Sequence, residues 1–199
     1  MSIEYLNHLP EDLTDPAIDL LYSAFAEKII PIWGDAQQTQ TLFQASVDRQ
    51  QCLAAVENQK LLGLLTLQSK TAHFINPTWQ RAIATYGPIS GIWRKGLSLL
   101  LNHKTQPHEW YVYFVAVAPE AQGQGVGTQL FVQLEARARQ AGIKLLSLNV
   151  INTNSRAESL YERLGFVRQT ELEIWPVNRL LRWSFSSVIL MAKPLDDRL

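Results

Sequence analysis

The apolar run Trp110 to Val117, stopped by Pro119 and followed at once by Gly123-Gln124-Gly125-Val126-Gly127, constrains this chain more than any other segment. Aromatic and β-branched residues in an unbroken run predict a strand buried on both faces. From Gly125 onward the period changes. Val126, Leu130, Leu134, Ala138 and Ala141 fall on one helical stripe, with Gln129, Gln133, Arg137 and Gln140 opposite. Gly142 stands where such a helix ends. A doubly buried strand running into an amphipathic helix predicts a layered sheet with helices packed on it.

The flanking segments extend this pattern. Leu145 to Val150 reads as the next strand, and Asn154 or Ser155 caps a helix reaching Leu164. Gly165 ends that helix before a strand at Phe166, and Trp183 to Met191 reads as the closing strand. Upstream, Ser2 to His8 suits a strand. Asp15 suits an N-cap before Pro16, with Leu20, Leu21, Ala24, Phe25 and Ile29 at helical spacing and Pro31 just past the end. A shorter helix is expected over Thr39 to Asp48. The runs Cys52 to Val56 and Leu61 to Leu67 flank Glu57-Asn58-Gln59-Lys60 as a hairpin. Residues 75–107, punctuated by Pro77, Gly87, Pro88, Gly91, Gly96 and Pro107, read as an irregular insertion. Within it Ile92, Leu97, Leu100 and Leu101 hint at a short amphipathic helix. The expectation is one α/β (α+β) domain over residues 1–199.

Composition excludes several functions. Lys plus Arg and Asp plus Glu number 18 each, and 47% of residues are hydrophobic, which rules out disorder and a basic nucleic-acid arm. Arg137, Arg139, Lys144, Arg163 and Arg168 are scattered and build no nucleic-acid footprint. No apolar stretch is long enough to span a bilayer, and the acidic N-terminus does not resemble a signal peptide. The lone Cys52 lies in an apolar strand and reads as core, consistent with a cytoplasmic setting. His8, His73, His103 and His108 lack metal-ligand spacing, so no metal is expected.

Glycines between a strand and a helix let the backbone approach a ligand, while the first helical amides point outward at the positive end of the dipole. That arrangement suits a phosphate. Gly123, Gly125 and Gly127 give G-x-G-x-G. The dinucleotide fingerprint needs a third glycine at the position Thr128 occupies, and the Gly-Lys-Ser/Thr of a Walker loop is absent.

The stretch Val115-Ala116-Val117-Ala118-Pro119 followed by Gln122-Gly123-Gln124-Gly125-Val126-Gly127 resembles motif A of the GNAT acyltransferase superfamily, Q/R-x-x-G-x-G/A. Asn154-Ser155-Arg156-Ala157-Glu158-Ser159-Leu160-Tyr161-Glu162-Arg163-Leu164-Gly165-Phe166 resembles its motif B, N-x-x-A-x-x-L-Y-x-x-L-G-F. The two lie in the same order, and the strong resemblance covers about residues 108–168. It implies a mixed, partly open central sheet of six to seven strands flanked by helices.

The resemblance also implies chemistry. Acetyl-CoA would lay its pyrophosphate on the amides of Gly123 to Thr128, and its pantetheine arm along the splayed strand end at Val115, Ala116 and Val117. A backbone amide there would polarise the thioester carbonyl. Asn154 would touch the pantetheine, a role compatible with capping its helix. Tyr161 would protonate the departing thiolate, although its place on an apolar stripe with Ala157, Leu160 and Leu164 also suits plain packing. Arg156 and Lys104 are candidates for the 3′-phosphate.

The acceptor would be a primary amine on a small molecule or a peptide. Some relatives carry a glutamate base where this chain has Asn149, which leaves the base open among His108, Glu109, Glu27, Asp35 and a water relay. Two alternatives remain: protein N-terminal or lysine acetylation, and a non-catalytic acyl-CoA sensor or partner domain. A homodimer through the last strands is compatible with the resemblance. Net neutrality argues against a polyanionic acceptor. Trp110, Trp175 and Trp183 are expected in strands and core, whereas Trp33, Trp79 and Trp93 are candidates to line an apolar acceptor pocket.

Overall fold

The computed structural model describes residues 2–99 and 102–195. Seven strands form one sheet in the order β1-β2-β3-β4-β5-β7-β6: β1 (Glu4–Leu6), β2 (Cys52–Glu57), β3 (Lys60–Gln68), β4 (Glu109–Val117), β5 (Leu145–Ile151), β6 (Val167–Glu173) and β7 (Ser187–Pro194). Every neighbouring pair is antiparallel except β4 and β5, which are parallel and joined through a helix as a crossover requires. The helices are α1 (Thr14–Ala24), α2 (Ala26–Trp33), α3 (Ala36–Gln44), α4 (Trp79–Tyr86), α5 (Pro88–Ser98), α6 (Val126–Gln140), α7 (Ser155–Arg163) and the short α8 (Val177–Leu180).

The sheet is covered on both faces. Along β2, Leu53 and Ala55 pack with Leu130, Phe131 and Leu134 of α6, while Cys52, Ala54 and Val56 pack with Leu13, Ala17 and Leu21 at α1. This period of two explains why the strand reads as continuously apolar. A third cluster joins Ile29, Ile32 and Trp33 of α2 to Phe43, Ala82, Trp183 and Phe185. The β2–β3 hairpin turns at Asn58 and Gln59, both with positive φ (49° and 61°), the geometry of a tight two-residue loop.

Four expectations need correction. The stripe ending at Pro31 is two helices, broken at Phe25, and Pro31 lies inside α2. Asp15 does not cap α1; its carboxylate accepts from Gln44 Nε2 at 2.8 Å and ties α1 to α3. Residues 75–107 are largely helical, through α4 and α5, because Thr78 caps the first helix and the Gly87-Pro88 pair ends one helix and starts the next. Of the helix hinted at there, Leu100 and Leu101 lie outside the described residues. The last strand begins at Ser187, so Trp183 is buried in the loop before it, and Trp175 is 71% exposed beyond β6.

Helix α6 sits very close to β3. A Cβ on Gly63 would meet Val126 Cγ1 at 2.9 Å and Leu130 Cδ1 at 3.2 Å, both in fully packed surroundings. Gly63→Ala therefore overpacks the seam, with an expected cost of about 1–3 kcal/mol in denaturant unfolding. A change below about 0.5 kcal/mol would show that α6 gives way freely.

Candidate functional site

The site begins with an irregularity in β4. Leu67 pairs with Val112 and Thr66 with Phe114, so Tyr113 is an extra residue opposite β3. Thr66, fully buried, accepts the Phe114 N–H on its Oγ1 at 3.0 Å and holds the bulge. The bulge resets the alternation of side chains. Val112, Val115 and Val117 face the α6 side, whereas Phe114 and Ala116, with Tyr113 beside them, face the α1 side. Parallel pairing with β5 stops at the same place: it covers Glu109 to Val112 against Leu145 to Leu148. Beyond Val112 the two strands part.

On the α6 side a cleft of about 470 Å³ lies against this opening. Val115, Val117, Gln122, Gly123, Gly125, Val126, Gly127, Thr128, Asn154 and Tyr161 all contribute to its walls. Gly125 is left-handed (φ 80°) and leads into α6, whose first turn closes with Gln129 N donating to Gly125 O at 2.9 Å. The amides of Val126, Gly127 and Thr128 precede any intrahelical acceptor and stay available to a ligand. Two candidates do not bring side chains here. Ala116 points to the opposite face, and Gln124 donates its amide to Glu120 O at 2.8 Å. Arg156 and Arg163 do line the cleft. Sequence spacing had treated Arg163 as ordinary solvated charge, although it stands seven residues after Arg156, two helical turns along one face.

Asn154 Oδ1 caps α7, accepting from Ala157 N at 3.1 Å. Tyr161, about two turns further along, packs its ring edge-on against Phe131 at 5.6 Å. Its hydroxyl hydrogen-bonds no described residue, and the residue lines the cleft. Burial pushes this phenol up to about 12, so it stays protonated at neutral pH.

On the opposite face, two further cavities share Asn102, Tyr113 and Phe114 as walls. One holds about 260 Å³ and is bounded by Lys28, His103, Lys104, Tyr111, Asn149, Trp183 and Phe185 among others. The other, about 90 Å³, is bounded by Trp33, Phe43, His73 and Lys95 among others. Lys104 thus lies across the sheet from Arg156 and shares no cavity with it. Trp33 alone of the three candidate tryptophans lines a cavity; Trp79 and Trp93 are 45% and 61% exposed on α4 and α5.

The candidate bases are committed elsewhere. Glu109, buried at the start of β4, accepts from His103 Nε2 at 3.0 Å, from Gln106 N at 2.6 Å and from Ser147 Oγ. His108 is exposed in a left-handed turn (φ 61°). Glu27 accepts from Ser184, and Asp35 caps α3 by accepting from Gln38 N at 3.2 Å. Neither cavity has an Asp or Glu among its described lining residues. Among the described residues, no group of three or more His, Cys, Asp or Glu is placed to hold a metal, and no helix is long and apolar enough to cross a membrane.

Comparison with known proteins matches this geometry to a family. The model of the acetyltransferase (GNAT) family matches residues 18–166. The 5-NmdU N-acetyltransferase of Pseudomonas phage PaMx11 is 33% identical over 91 residues, 46% of this chain and 59% of that enzyme. A mycothiol acetyltransferase of Pseudarthrobacter chlorophenolicus is 41% identical over 67 residues, 34% of this chain and 21% of that enzyme. The chain thus spans from about a fifth to three fifths of the length of these relatives. An acetyltransferase from Salmonella typhimurium, solved with acetyl-CoA, shares the fold with a TM-score of 0.64 at 16% identity, covering 100% of this chain and 96% of that one.

The turn before α6 yields a direct test. Gly125→Ala places a Cβ on a left-handed residue, a strain of about 1–2 kcal/mol relieved only by reorienting the turn. CoA affinity measured by calorimetry should fall roughly 10-fold. Gly142→Ala, with similar strain (φ 69°) at the far end of α6, should leave it unchanged.

Proposed function

Because the chain belongs to the acetyltransferase (GNAT) family, we propose that it transfers an acetyl group from acetyl-CoA directly to a primary amine of a small molecule or peptide. The observation that carries this reading is the placement of Tyr161. Tyr161, whose hydroxyl has no hydrogen-bond partner among the described residues, lines the same cleft as the first amides of α6 and as Val115 and Val117, beyond the point where β4 leaves β5. A free amide row, two arginines and an unpaired phenol fit a phosphorylated thioester better than they fit a dinucleotide.

In this reading the amides of Gly123 to Thr128 hold the pyrophosphate, and Arg156 and Arg163 neutralise phosphate charge. Val115 and Val117 bound the pantetheine channel with their side chains, while Ala116 and Gln124 serve through their main chains. Asn154 combines its capping role with a wall of the channel. The amine nitrogen bonds to the carbonyl carbon and gives its proton to an imidazole or to water, the carbon–sulfur bond breaks, the thiolate takes the Tyr161 proton, and the proton given up by the amine returns to the phenolate. A thiol of pKa about 8.5 is then regenerated neutral.

The two cavities on the far side of β4 form the acceptor chamber. Their volumes, about 260 and 90 Å³, favour a small acceptor over an extended peptide. With no carboxylate among the described residues of the walls, the amine is left to lose its proton to an imidazole or to water. An α-amino group (pKa about 8) is already about 10% neutral at pH 7, whereas a lysine amine is neutral in less than about 0.1%. That difference favours α-amino acceptors. The whole of residues 1–199 then acts as one acyl-CoA-dependent domain whose segment 75–107 walls the acceptor side. A cytoplasmic setting fits the buried thiol of Cys52, which burial pushes up to about 12 and away from reactivity. The exposed edge strand β6, with Val167 and Leu172 facing solvent, suits pairing of two copies.

Turnover with acetyl-CoA and a broad panel of amines, read by free-thiol release and by the mass of the product, tests this function. Thermal stabilisation by acetyl-CoA without thiol release for any amine would favour the sensor alternative. Tyr161→Phe should lower kcat by about 10² or more while acetyl-CoA affinity is retained. Because the phenol titrates only near 12, the alkaline side of the pH–rate profile below pH 11 should be the same shape in the two proteins. Unchanged kcat would remove Tyr161 from the chemistry.

A further inference from the structure

The chamber is electrostatically one-sided. Lys28, on α2, reaches into the larger cavity with its ammonium 5.9 Å from the Phe25 ring centroid and 5.7 Å from that of Phe185. Lys95, on α5, is buried to 8% exposure in the wall of the smaller cavity. Among the described residues neither ammonium has a hydrogen bond or an ion pair. The carboxylate next to Lys28, Glu27, is turned to the main chain and hydroxyl of Ser184. His73, His103 and Lys104 complete the polar walls, and no described Asp or Glu faces either space.

Buried ammonium groups are costly unless paired. Here desolvation lowers both lysines: Lys28 falls to about 8 although the Glu27 charge partly offsets the burial, and Lys95 falls with no anion to offset it. Cation–π contact with Phe25 and Phe185 compensates in part. A protein of zero net charge has enough acids to pair these lysines, yet Glu109, Glu27 and Asp35 are all engaged elsewhere. The unmatched charge sits where an acceptor would lie, against aromatic walls from Tyr113, Phe114 and Trp183.

We propose that the acceptor is an amine that also carries an anionic group, a carboxylate in the simplest case, bound by Lys28 in the larger cavity or Lys95 in the smaller one, with its apolar body against the shared walls Tyr113 and Phe114. This rests on the reading of the chamber as the acceptor side of an acetyltransferase. It makes the two lysines specificity-determining residues: they select among amines and take no part in breaking the thioester.

Two ligand pairs isolate the carboxylate: phenylalanine against phenethylamine, and 4-(aminomethyl)benzoate against benzylamine. Equilibrium binding of each is measured by calorimetry on the full chain saturated with CoA. The wild type should bind at least one carboxylated member roughly 10-fold more tightly than its partner, as expected for a charge-assisted contact. Lys28→Met or Lys95→Met should bring that ratio close to one, and Lys28→Arg should keep it. Both Met variants remove a buried charge, so thermal unfolding should show them folded. The inference is overturned if the wild type shows no preference in either pair, binds none of the four, or if the preference survives in both Met variants. An equal loss for both members of a pair would mark the lysine as a structural or catalytic group and would also overturn it. Absence of acetyl transfer appears separately, in the thiol-release assay, and does not enter this ratio.

Discussion

The bulge at Tyr113, held by the Thr66 hydroxyl accepting the Phe114 N–H, is the constraint on which the rest of the site depends. A regular strand would have sent Phe114 to the face of Val112 and shifted every later side chain with it. One additional residue instead places Tyr113 and Phe114 together on the α1 side and returns Val115 and Val117 to the α6 side. The same distortion coincides with the end of pairing between β4 and β5. The opened strand therefore has a phosphate-type cleft on one face and a pair of aromatic cavities on the other.

The two halves solve the problem of holding charge in different ways. The cleft relies on oriented amides at the start of α6, which carry no net charge and cost little to keep solvated when empty. Arg156 and Arg163 sit on the half-exposed α7, where a guanidinium keeps its hydration. The proposed acceptor side uses a buried lysine, Lys95, and a half-buried one, Lys28, among aromatic rings. A buried ammonium discriminates more sharply, because its partner must offset a desolvation cost. Amides alone suit a ligand common to many enzymes, and buried lysines suit one that must be told apart from its neighbours.

The cofactor half was legible in the sequence because its determinants are local. Gly125, the stripe beginning at Val126, Asn154 and Tyr161 lie on two strand–helix units whose period and caps are short-range properties. The same locality explains the hairpin at Asn58 and Gln59. The acceptor half was not legible. Lys28, Lys95, Tyr113 and Trp183 come from four separated segments, and no spacing connects them. Local signals there also misled. Pro31 suggested a helix end, but the stripe had already broken at Phe25, leaving Pro31 inside the second helix. Frequent Gly and Pro in 75–107 suggested irregularity, whereas they separate two helices. Tertiary contact decided where sequence punctuation could not.

Those contacts also explain why the acceptor wall acts as one body. Arg94 of α5 donates to Ile32 O at 2.8 Å and stacks over Tyr86 at 4.8 Å. Tyr86 meets the Thr39 hydroxyl at 3.2 Å, and Tyr22 donates to Gly34 O at 3.0 Å. Helices α1 to α5 are thereby tied to each other through polar contacts as well as through Trp33, Phe43 and Ala82. Lys28 and Lys95, the residues proposed to select the acceptor, belong to this body, while Arg156, Tyr161 and the amides proposed to hold the thioester carrier belong to α6, α7 and their turns. The two meet along the bulged stretch of β4. Substitutions in α2 or α5 can then alter which amine is accepted without displacing the amide row of α6. An arrangement of this kind allows the acceptor half to diverge while the phosphate-binding half stays the same, which is why the shared part of the site could be read from motifs and the distinctive part only from coordinates.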